Sequence, residues 1–394
     1  MIEKTFDEVV LYARTGLNPR TNFKLGQGQN KYITIKNIRN NSIVIDNQTD
    51  IIDDEAIKLI HKRSQIKKGD VLFCSIGRMG DMYIIPEDPV GWDINESVFA
   101  FTLNTEVIRQ KYFYYTFKHQ GTLDFLAQNS SGSTFKSIKM NQLRRMVFNL
   151  PSLQEQDHII SMLDGICSII EARYLQLQRL DDLVKARFVE MFVATDAASD
   201  WPYCTIADVS NDMRTGPFGS ALHHDEFVDS GVFVLGIDNA VENKFSYNRM
   251  RYITAEKYQE LKRYTVYPGD VIITIMGTVG RSAVIPANMP KAINTKHLAC
   301  ITPNAKMVNA QFLSCAFQVH PDIRAQLQKQ CKGAIMDGLN LTIIKGLSFH
   351  IPPINLQDRF VGFYEQVDKS KSVIQKALDE AQLLFDSVMQ KYFG

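Results

Sequence analysis

Two long segments of the chain carry a hydrophobic repeat with the seven-residue period of paired helices. Residues 155–193 and 356–394 contain no proline, and their only glycines are Gly165, Gly362 and the terminal Gly394. Apolar side chains that recur at alternating spacings of three and four residues predict α-helices that pair through one face. At a rise of 1.5 Å per residue, each helix is expected to span roughly 55–60 Å.

The apolar heptad positions are the residues that we expect at the contact between the two helices. They are Ile159, Leu163, Ile166, Ile170, Leu177, Leu180, Val184, Phe360, Tyr364, Val367, Ile374, Leu378, Phe385 and Val388. The polar interruptions are staggered, since Arg173 corresponds to Ile374 and Lys371 corresponds to Ile170. This stagger favours pairing of the two helices with each other over pairing of either with its own copy. The alternative interpretation is two unrelated surface helices.

The regions that precede these helices have a different pattern. Short apolar runs such as 32–35 and 71–73 alternate with Gly, Asn, Asp and Pro, which predicts short β-strands and turns. Short helical stretches at 53–63 and 255–263 interrupt the strands. The fold class that we predict is therefore α/β (mixed α+β) for the globular regions.

The chain is also a tandem repeat, with a displacement of about 200 residues. The matching segments are Arg14-Thr15-Gly16 with Arg214-Thr215-Gly216, Gly69-Asp70-Val71 with Gly269-Asp270-Val271, Ile85-Pro86 with Ile285-Pro286, and Gln156-Asp157 with Gln357-Asp358. A collinear series of this length indicates a duplication and predicts pseudo-twofold symmetry. We expect a first globular domain at 1–150, a helix at 151–193, a second globular domain at 194–352 and a helix at 353–394.

Composition narrows the class of protein. The chain has 394 residues, 45% hydrophobic and 22% charged, with a formal net charge of +1, which excludes a histone-like polycation. The six cysteines have no CxxC spacing, so we expect reduced thiols and neither a zinc site nor disulfides. Neither a signal peptide nor an apolar run of roughly 20 residues is found. We therefore expect a cytoplasmic protein with no membrane partner.

Motifs for catalysis are missing from the sequence. It has no GxxxxGK[ST] phosphate loop, no Asn/Asp-Pro-Pro-aromatic stretch of amino-methyltransferases, no GxSxG elbow and no HExxH helix. Glu260-Leu261-Lys262 matches half of a nuclease site but lacks an upstream Pro-Asp partner. His223-His224-Asp225 lacks a spaced third metal ligand. We therefore predict no catalytic residue and no metal site, and a chain that binds while its partners do the chemistry.

The motifs of the second repeat carry a resemblance to a known family. They are Arg214-Thr215-Gly216-Pro217-Phe218-Gly219-Ser220, Tyr267-Pro268-Gly269-Asp270-Val271-Ile272, Gly277-Thr278-Val279-Gly280 and Ile351-Pro352-Pro353-Ile354. Together with the repeated domain-and-helix order, they resemble the specificity subunit of Type I restriction–modification systems over essentially the whole chain. The first repeat departs from this pattern, because Leu17-Asn18-Pro19 follows Arg14-Thr15-Gly16 where the second has Pro-Phe-Gly-Ser.

The resemblance implies two target-recognition domains, each of which reads one half of a split, asymmetric site in double-stranded DNA. It also implies that the two helices pair antiparallel, set the spacer and dock two methyltransferase subunits, through which the restriction and translocase subunits join. The chain itself would hold no cofactor, since its partners would bind S-adenosylmethionine, ATP and magnesium and would carry out adenine-N6 methylation and cleavage. The alternatives are a DNA-recognition subunit of another modification system, a standalone half-site binder, and a coiled-coil scaffold that does not bind DNA.

Exposed polar and cationic side chains on loops of the two domains are the candidate DNA contacts, because such groups read phosphates and base edges. In the first domain they are Arg14, Arg20, Lys36, Asn37, Arg39, Arg78, Lys136 and Lys139. In the second domain they are Arg214, Ser220, Asn239, Arg249, Arg251, Thr278, Arg281 and Lys332. The repeated Gly-Asp-Val and Ile-Pro segments are expected to be structural turns.

Overall fold

The computed structural model describes residues 1–132, 135–217, 221–331 and 339–394. These residues form two compact units. Unit 1 comprises Met1–Arg173 with Ala377–Gly394, and unit 2 comprises Tyr174–Lys376. The boundaries differ from the predicted segments, because each unit combines one globular domain with part of both long helices.

The elements of the first half alternate short strands with short helices. In chain order they are β1 (Ile2–Thr5), α1 (Phe6–Val9), β2 (Val10–Thr15), β3 (Asn30–Ile33), β4 (Ile38–Arg39), β5 (Ser42–Ile43), β6 (Ile51–Ile52), α2 (Asp54–Ser64), β7 (Val71–Cys74), β8 (Met82–Ile84), β9 (Trp92–Ile94), β10 (Val98–Leu103), α3 (Gln110–Thr116), α4 (Gln120–Asn129), α5 (Met140–Leu143), β11 (Val147–Leu150) and the long helix α6 (Leu153–Phe192).

The second half repeats this order with small changes. Its elements are β12 (Tyr203–Thr205), β13 (Ser210–Thr215), β14 (Val232–Leu235), β15 (Tyr252–Ile253), α7 (Ala255–Leu261), β16 (Thr265–Val266), β17 (Val271–Thr274), β18 (Ser282–Val284), β19 (Ala292–Asn294), β20 (Leu298–Pro303), α8 (Ala310–Val319), α9 (Pro321–Cys331), α10 (Leu341–Gly346), β21 (Ser348–His350) and the long helix α11 (Ile354–Phe393).

The antiparallel sheets of the two units share their strand order, and the mixed sheet has one further strand, β16, in unit 2. An antiparallel sheet has the order β2-β10-β7-β8 in unit 1 and β13-β20-β17-β18 in unit 2. A second, mixed sheet pairs β3 parallel to β9 in unit 1 and β14 parallel to β19 in unit 2. The register is also repeated, since Ala100 lies opposite Arg14 and Cys300 lies opposite Arg214. The predicted mixed α/β fold and its duplication are confirmed.

Aromatic side chains of the long helices pack into the core of each unit. In unit 1, Phe393 near the end of α11 stacks on Tyr112, with ring centroids 4.8 Å apart. The start of α6 joins the same core through Ile159 and Leu163. In unit 2, Phe188 near the end of α6 contacts Phe360 at the start of α11, with centroids 5.3 Å apart. Each unit thus brings the start of one helix against the end of the other, as antiparallel pairing requires.

The predicted heptad positions lie on the inward side of both helices. Ile159, Leu163, Ile166, Phe360, Val367 and Leu378 are buried, and Ile170, Leu177, Leu180, Val184, Tyr364, Ile374, Phe385 and Val388 are partly buried. The polar interruption Lys371 is paired as well, since its Nζ lies 2.5 Å from Asp181 Oδ1 of α6. Toward the helix ends the heptad positions also face a globular core, because Ile159 and Leu163 belong to the core of unit 1.

Candidate nucleic-acid interface

Two predicted DNA contacts, Arg14 and Arg214, lie in internal networks. Nη2 of Arg14 donates to Asp70 Oδ2 at 2.7 Å, and Nη1 donates to the carbonyl of Gln65 at 2.8 Å. Thr102 donates to the other Asp70 oxygen at 2.6 Å, and the Asp70 side chain is only 1% exposed. The guanidinium therefore joins β2, the end of α2 and β10 from within. This geometry argues against the predicted contact of Arg14 with DNA.

Unit 2 repeats the network around Arg214. Nη2 of Arg214 lies 2.5 Å from Asp270 Oδ2, and Nε donates to the carbonyl of Thr265 at 2.9 Å. Thr302 donates to Asp270 Oδ1 at 2.6 Å, as Thr102 does in unit 1. Both units thus use the same three side-chain types at matching places, so we assign Arg214 to the scaffold and remove it from the interface.

The predicted contacts Asn37 and Asn239 are buried for a similar reason. The side chain of Asn37 accepts from the backbone N–H of Thr34 at 3.0 Å and donates to the carbonyl of Val44 at 3.0 Å. Asn239 accepts from the N–H of Gly236 at 2.8 Å and donates to the carbonyl of Ser246 at 2.8 Å. Both amides hold a loop closed, and both residues are less than a tenth exposed. Burial therefore argues against Asn37 and Asn239 as base contacts.

Three loops of unit 1 converge on one exposed surface, which we call the three-loop surface (residues 35–37, 76–81 and 135–138). The N–H of Gly77 donates to the carbonyl of Lys136 at 3.1 Å. Nη2 of Arg78 donates to the carbonyl of Ile35 at 2.9 Å. The side chains of Lys36, Arg78 and Lys136 are exposed on these loops. The surface therefore groups three of the predicted cations on neighbouring loops, where they can meet a phosphate backbone.

A glycine in the left-handed backbone region lies where two of these loops meet. Gly77 has a φ of +70°, and a Cβ built on it would lie 3.4 Å from Ile35 Cδ1. Gly277 in unit 2 has a φ of +71°, and its Cβ would lie 3.5 Å from Ile237 Cδ1. Positive φ favours glycine over every other residue. The same loop junction is thus built in both units.

The comparisons with known proteins bear on this repeated scaffold. Residues 3–179 and 197–382 match the family model described as the Type I restriction modification DNA specificity domain. The chain belongs to this family. It is therefore a specificity subunit of a Type I restriction–modification system, with two DNA-recognition domains, and a non-catalytic component of such a complex. This confirms the resemblance, the DNA-recognition function and the non-catalytic role predicted from the sequence.

Curated relatives and solved structures are consistent with this family. The EcoBI specificity subunit of Escherichia coli is 22% identical over 384 residues, which cover 86% of this chain and 80% of that protein. The MjaIX specificity subunit of Methanocaldococcus jannaschii is 27% identical over 181 residues, which cover 45% of this chain and 40% of that protein. The fold matches the crystal structure of a Type I S subunit from M. genitalium with a TM-score of 0.57 at 15% identity, over 100% of this chain and 96% of that one. A chain from a structural study of Type I complex assembly and conformational transition matches with a TM-score of 0.61 at 16% identity, over 100% and 97% of the two chains.

The second recognition domain of the specificity subunit presents different groups on the matching loops. Thr278 and Arg281 are exposed beside Gly277. Arg251 forms an ion pair with Asp238 on the neighbouring loop, with 2.6 Å between Nη2 and Oδ2. Arg249 is exposed with a φ of +50°. The predicted contacts Lys332 and Ser220 lie outside the described residues.

The remaining predicted cations of the first domain flank the three-loop surface or lie elsewhere. Nε of Arg39 donates to the carbonyl of Lys36 at 3.3 Å, which places Arg39 beside the surface. Lys139 is exposed and follows its last loop directly, at the start of α5. Arg20 is exposed on the segment between β2 and β3, outside the three loops. The assignment of these residues to the DNA interface stays a prediction.

The three-loop surface also contains an exposed aromatic residue that the sequence analysis did not predict as a DNA contact. Phe135 is 68% exposed and directly precedes Lys136. A large apolar side chain between Ser, Thr and Lys in a polar loop is the signal that could have identified it, because aromatic side chains stack on bases or wedge between base steps. We therefore add Phe135 to the candidate contacts.

Burial makes three cysteine thiols, those of Cys74, Cys300 and Cys315, poor nucleophiles. Burial raises the pKa of Cys74 and of Cys315 to about 12, and it raises the pKa of Cys300 well above the usual value. Thiols with such pKa values stay protonated and unreactive. Among the described residues, no group of three or more His, Cys, Asp or Glu side chains could hold a metal ion. No described helix is long and apolar enough to cross a membrane.

Neutralising the three-loop surface is expected to weaken DNA binding. Each of Lys36→Gln, Arg78→Gln and Lys136→Gln should lower affinity and reduce the slope of log K against log[salt] by about one, because each removes one positive charge that releases counterions from the DNA. The measurement is duplex binding by the complex with its methyltransferase subunits at several salt concentrations. Lys58→Gln on α2 is the control, since Lys58 is exposed and paired with Glu55. Unchanged slopes in all three variants would place the DNA elsewhere.

Proposed function

We propose that each recognition domain reads one half of a bipartite, asymmetric site in double-stranded DNA. The two long helices set the spacer between the halves and dock two methyltransferase subunits. Those subunits bind S-adenosylmethionine and methylate adenine N6, and the restriction and translocase subunits join through them, so that the assembled complex serves host defence. The specificity subunit contributes recognition and geometry.

The observation that carries this proposal is a repeated scaffold with different surface residues. The arginine–aspartate network and the asparagine loops are the same in both units. On the matching loops, however, Lys36 corresponds to Asp238 and Arg78 corresponds to Thr278. The same backbone scaffold therefore presents different hydrogen-bond donors and acceptors in the two domains. Since base edges are read by such groups, the two half-sites should differ in sequence.

Helix length supports the role of α6 and α11 in spacing. Each helix has 40 residues, and at 1.5 Å per residue this corresponds to about 60 Å. Proteins that read two half-sites on one face of DNA need them about 34–36 Å apart, or a multiple of that. A pair of packed helices is stiff enough to hold two domains at a defined distance of this order.

Exposed apolar side chains on the long helices support the docking role. In unit 1, Ile169 is 49% exposed, Leu383 is 69% exposed and Leu384 is 53% exposed. In unit 2, Leu175 and Val373 are 47% and 68% exposed. Exposed apolar patches mark protein–protein contacts, and Leu383 and Leu384 lie side by side in α11. We assign these faces to the methyltransferase subunits.

The test is to express the chain with its methyltransferase subunits in a host without adenine methylation and to map methylated adenines across the genome. We expect one bipartite motif with two different halves. Leu383→Glu should abolish at least about 90% of this methylation, since a charge on a buried interface without a partner is costly, while leaving the melting temperature of the free chain unchanged. Gln382→Glu, on the neighbouring exposed position, is the matched control. A palindromic motif, or full methylation with Leu383→Glu, would contradict the proposal.

A further inference from the structure

The joint between the first recognition domain and its long helix contains a buried glutamine. Only Pro151 and Ser152 separate β11 from α6. Gln156, in the first turns of α6, is 0% exposed. Its Nε2 donates to the carbonyl of Pro151 at 3.0 Å and to the carbonyl of Val107 at 2.8 Å. Its Oε1 accepts from the N–H of Arg109 at 2.9 Å.

The second joint has the same arrangement. Gln357 is 0% exposed in the first turns of α11. Its Nε2 donates to the carbonyl of Pro352 at 2.8 Å and to the carbonyl of Met307 at 3.0 Å. Its Oε1 accepts from the N–H of Asn309 at 2.8 Å. Three hydrogen bonds are thus repeated in two domains whose surface residues differ.

A carboxylate follows each glutamine and adds a second link to the same loop. Asp157 accepts two hydrogen bonds from the Arg109 guanidinium, at 2.9 Å and 3.0 Å. Asp358 accepts one from the Asn309 side chain at 2.9 Å. The loop residue has changed between the repeats while the glutamine and the acid have not. The repeated glutamine and aspartate therefore fix the direction of the helix with either residue, Arg109 or Asn309, in the loop.

A buried amide with both donors and its acceptor engaged is a stiff connection. Turning the helix against the domain would leave these groups without partners in a site that excludes water, which is costly. The consequence grows with distance along the helix. By simple geometry, a 10° change at the joint moves a point about 60 Å away by about 10 Å, given the helical rise. That displacement is about three times the base-pair rise of ~3.4 Å.

We propose that Gln156 and Gln357 are positioning residues for spacer discrimination. Each fixes the direction in which a long helix leaves its recognition domain, so that the two domains fit half-sites at one separation only. This inference rests on the proposed function, in which the helices set the spacer. It assigns the sharpness of the spacer preference to two side chains that do not contact DNA.

The experiment measures methylation of synthetic duplexes that carry both half-sites with the native spacer or with one base pair more or fewer. The variants are Gln156→Met and Gln357→Met, which keep the side-chain volume and remove the hydrogen bonds. The controls are Gln154→Met and Gln366→Met, which alter exposed glutamines of the same helices. We expect the preference for the native spacer to fall about tenfold in the variants, because the three buried hydrogen bonds no longer fix the direction of the helix. Discrimination against single-base changes in either half-site should be unchanged.

The outcomes distinguish a failure of the spacing role of the helices from a failure of the positioning role of the glutamines. If the wild-type complex methylates all three spacers equally, the proposed spacing role of the helices is wrong. If the wild type is selective and the methionine variants are equally selective, the positioning role is wrong. A parallel loss of base discrimination and of spacer discrimination would also overturn it, since general destabilisation would produce that result.

A second variant and a second measurement cover the case in which the methionine variants fold poorly. Gln156→Asn keeps the amide but is one methylene shorter, so it cannot reach Val107 and Arg109 together. Spin labels introduced as noncanonical residues at the exposed positions Lys58 and Glu171 report the angle between domain and helix within unit 1. We expect a broader distance distribution for Gln156→Asn than for Gln154→Asn. Equal widths would overturn the inference.

Discussion

Replacing Asp270 with asparagine is expected to lower the free energy of unfolding of unit 2 by about 3–5 kcal/mol. The side chain of Asp270 is 1% exposed and forms an ion pair with Arg214. The substitution leaves the arginine charge in a nearly buried site with only the exposed Asp212 as a counter-charge, and removal of one member of a buried pair costs far more than the pair contributes when intact. The measurement is denaturant unfolding followed by the fluorescence of Trp201, which packs against the core of unit 2.

The matched control for this prediction is Asp212→Asn. Asp212 also binds Arg214, at 2.7 Å from Nη1, but its side chain is 59% exposed. Exposed pairs contribute about 0–1 kcal/mol, so this variant should be nearly as stable as the wild type. Trp92→Phe in both variants removes the tryptophan of unit 1, so that the signal reports unit 2 alone. Equal losses of stability in the two variants would show that burial does not set the strength of this network.

The helices and the duplication could be predicted from the sequence because both are periodic signals. A heptad repeat marks which positions face inward without any knowledge of distant residues. The predicted interface positions, such as Leu378 and Val367, are buried for this reason. The joint between domain and helix could not be predicted, because Gln156 finds its partners about 50 residues earlier in the chain, at Val107 and Arg109.

Four of the predicted DNA contacts have side chains engaged in internal hydrogen bonds, for one shared physical reason. Arg14, Arg214, Asn37 and Asn239 have polar side chains beside turns, and a sequence alone does not show that Asp70 or Val44 lies within reach. A comparison of the two repeats could have identified these residues as part of the scaffold. Residues that persist in two domains expected to read different bases belong to the scaffold. Positions that change between the repeats, such as Lys36 and Arg78, are the better candidates for DNA contacts.

The surface residues that differ between the repeats predict that each recognition domain can be exchanged independently. Replacing residues 1–150 with the matching domain of a relative should change the base sequence of one half-site completely and leave the other half-site unaltered. The physical reason is that base-edge contacts determine sequence, whereas phosphate contacts contribute affinity without sequence information. The exchanged domain must keep an aromatic residue at Tyr112, because Phe393 of α11 stacks on it. Mapping of methylated adenines in the presence of the methyltransferase subunits is the measurement.

Lengthening the helices is the converse of this exchange and serves as its control. An insertion near the end of α6, after Phe188, is unsuitable because it would displace Phe192. The ring of Phe192 lies 5.5 Å from that of Phe360 in the core of unit 2. The better places are after Arg173 in α6 and after Lys376 in α11, where the two compact units divide. One turn of about four residues in each helix adds about 6 Å, and at a rise of ~3.4 Å per base pair the spacer should grow by about one or two base pairs. Both half-sites should keep their bases, because no residue of the recognition loops has changed. If the domain exchange altered both half-sites, or if the insertion altered base identity at a constant spacer, sequence and spacing would not be read by separate parts of the molecule.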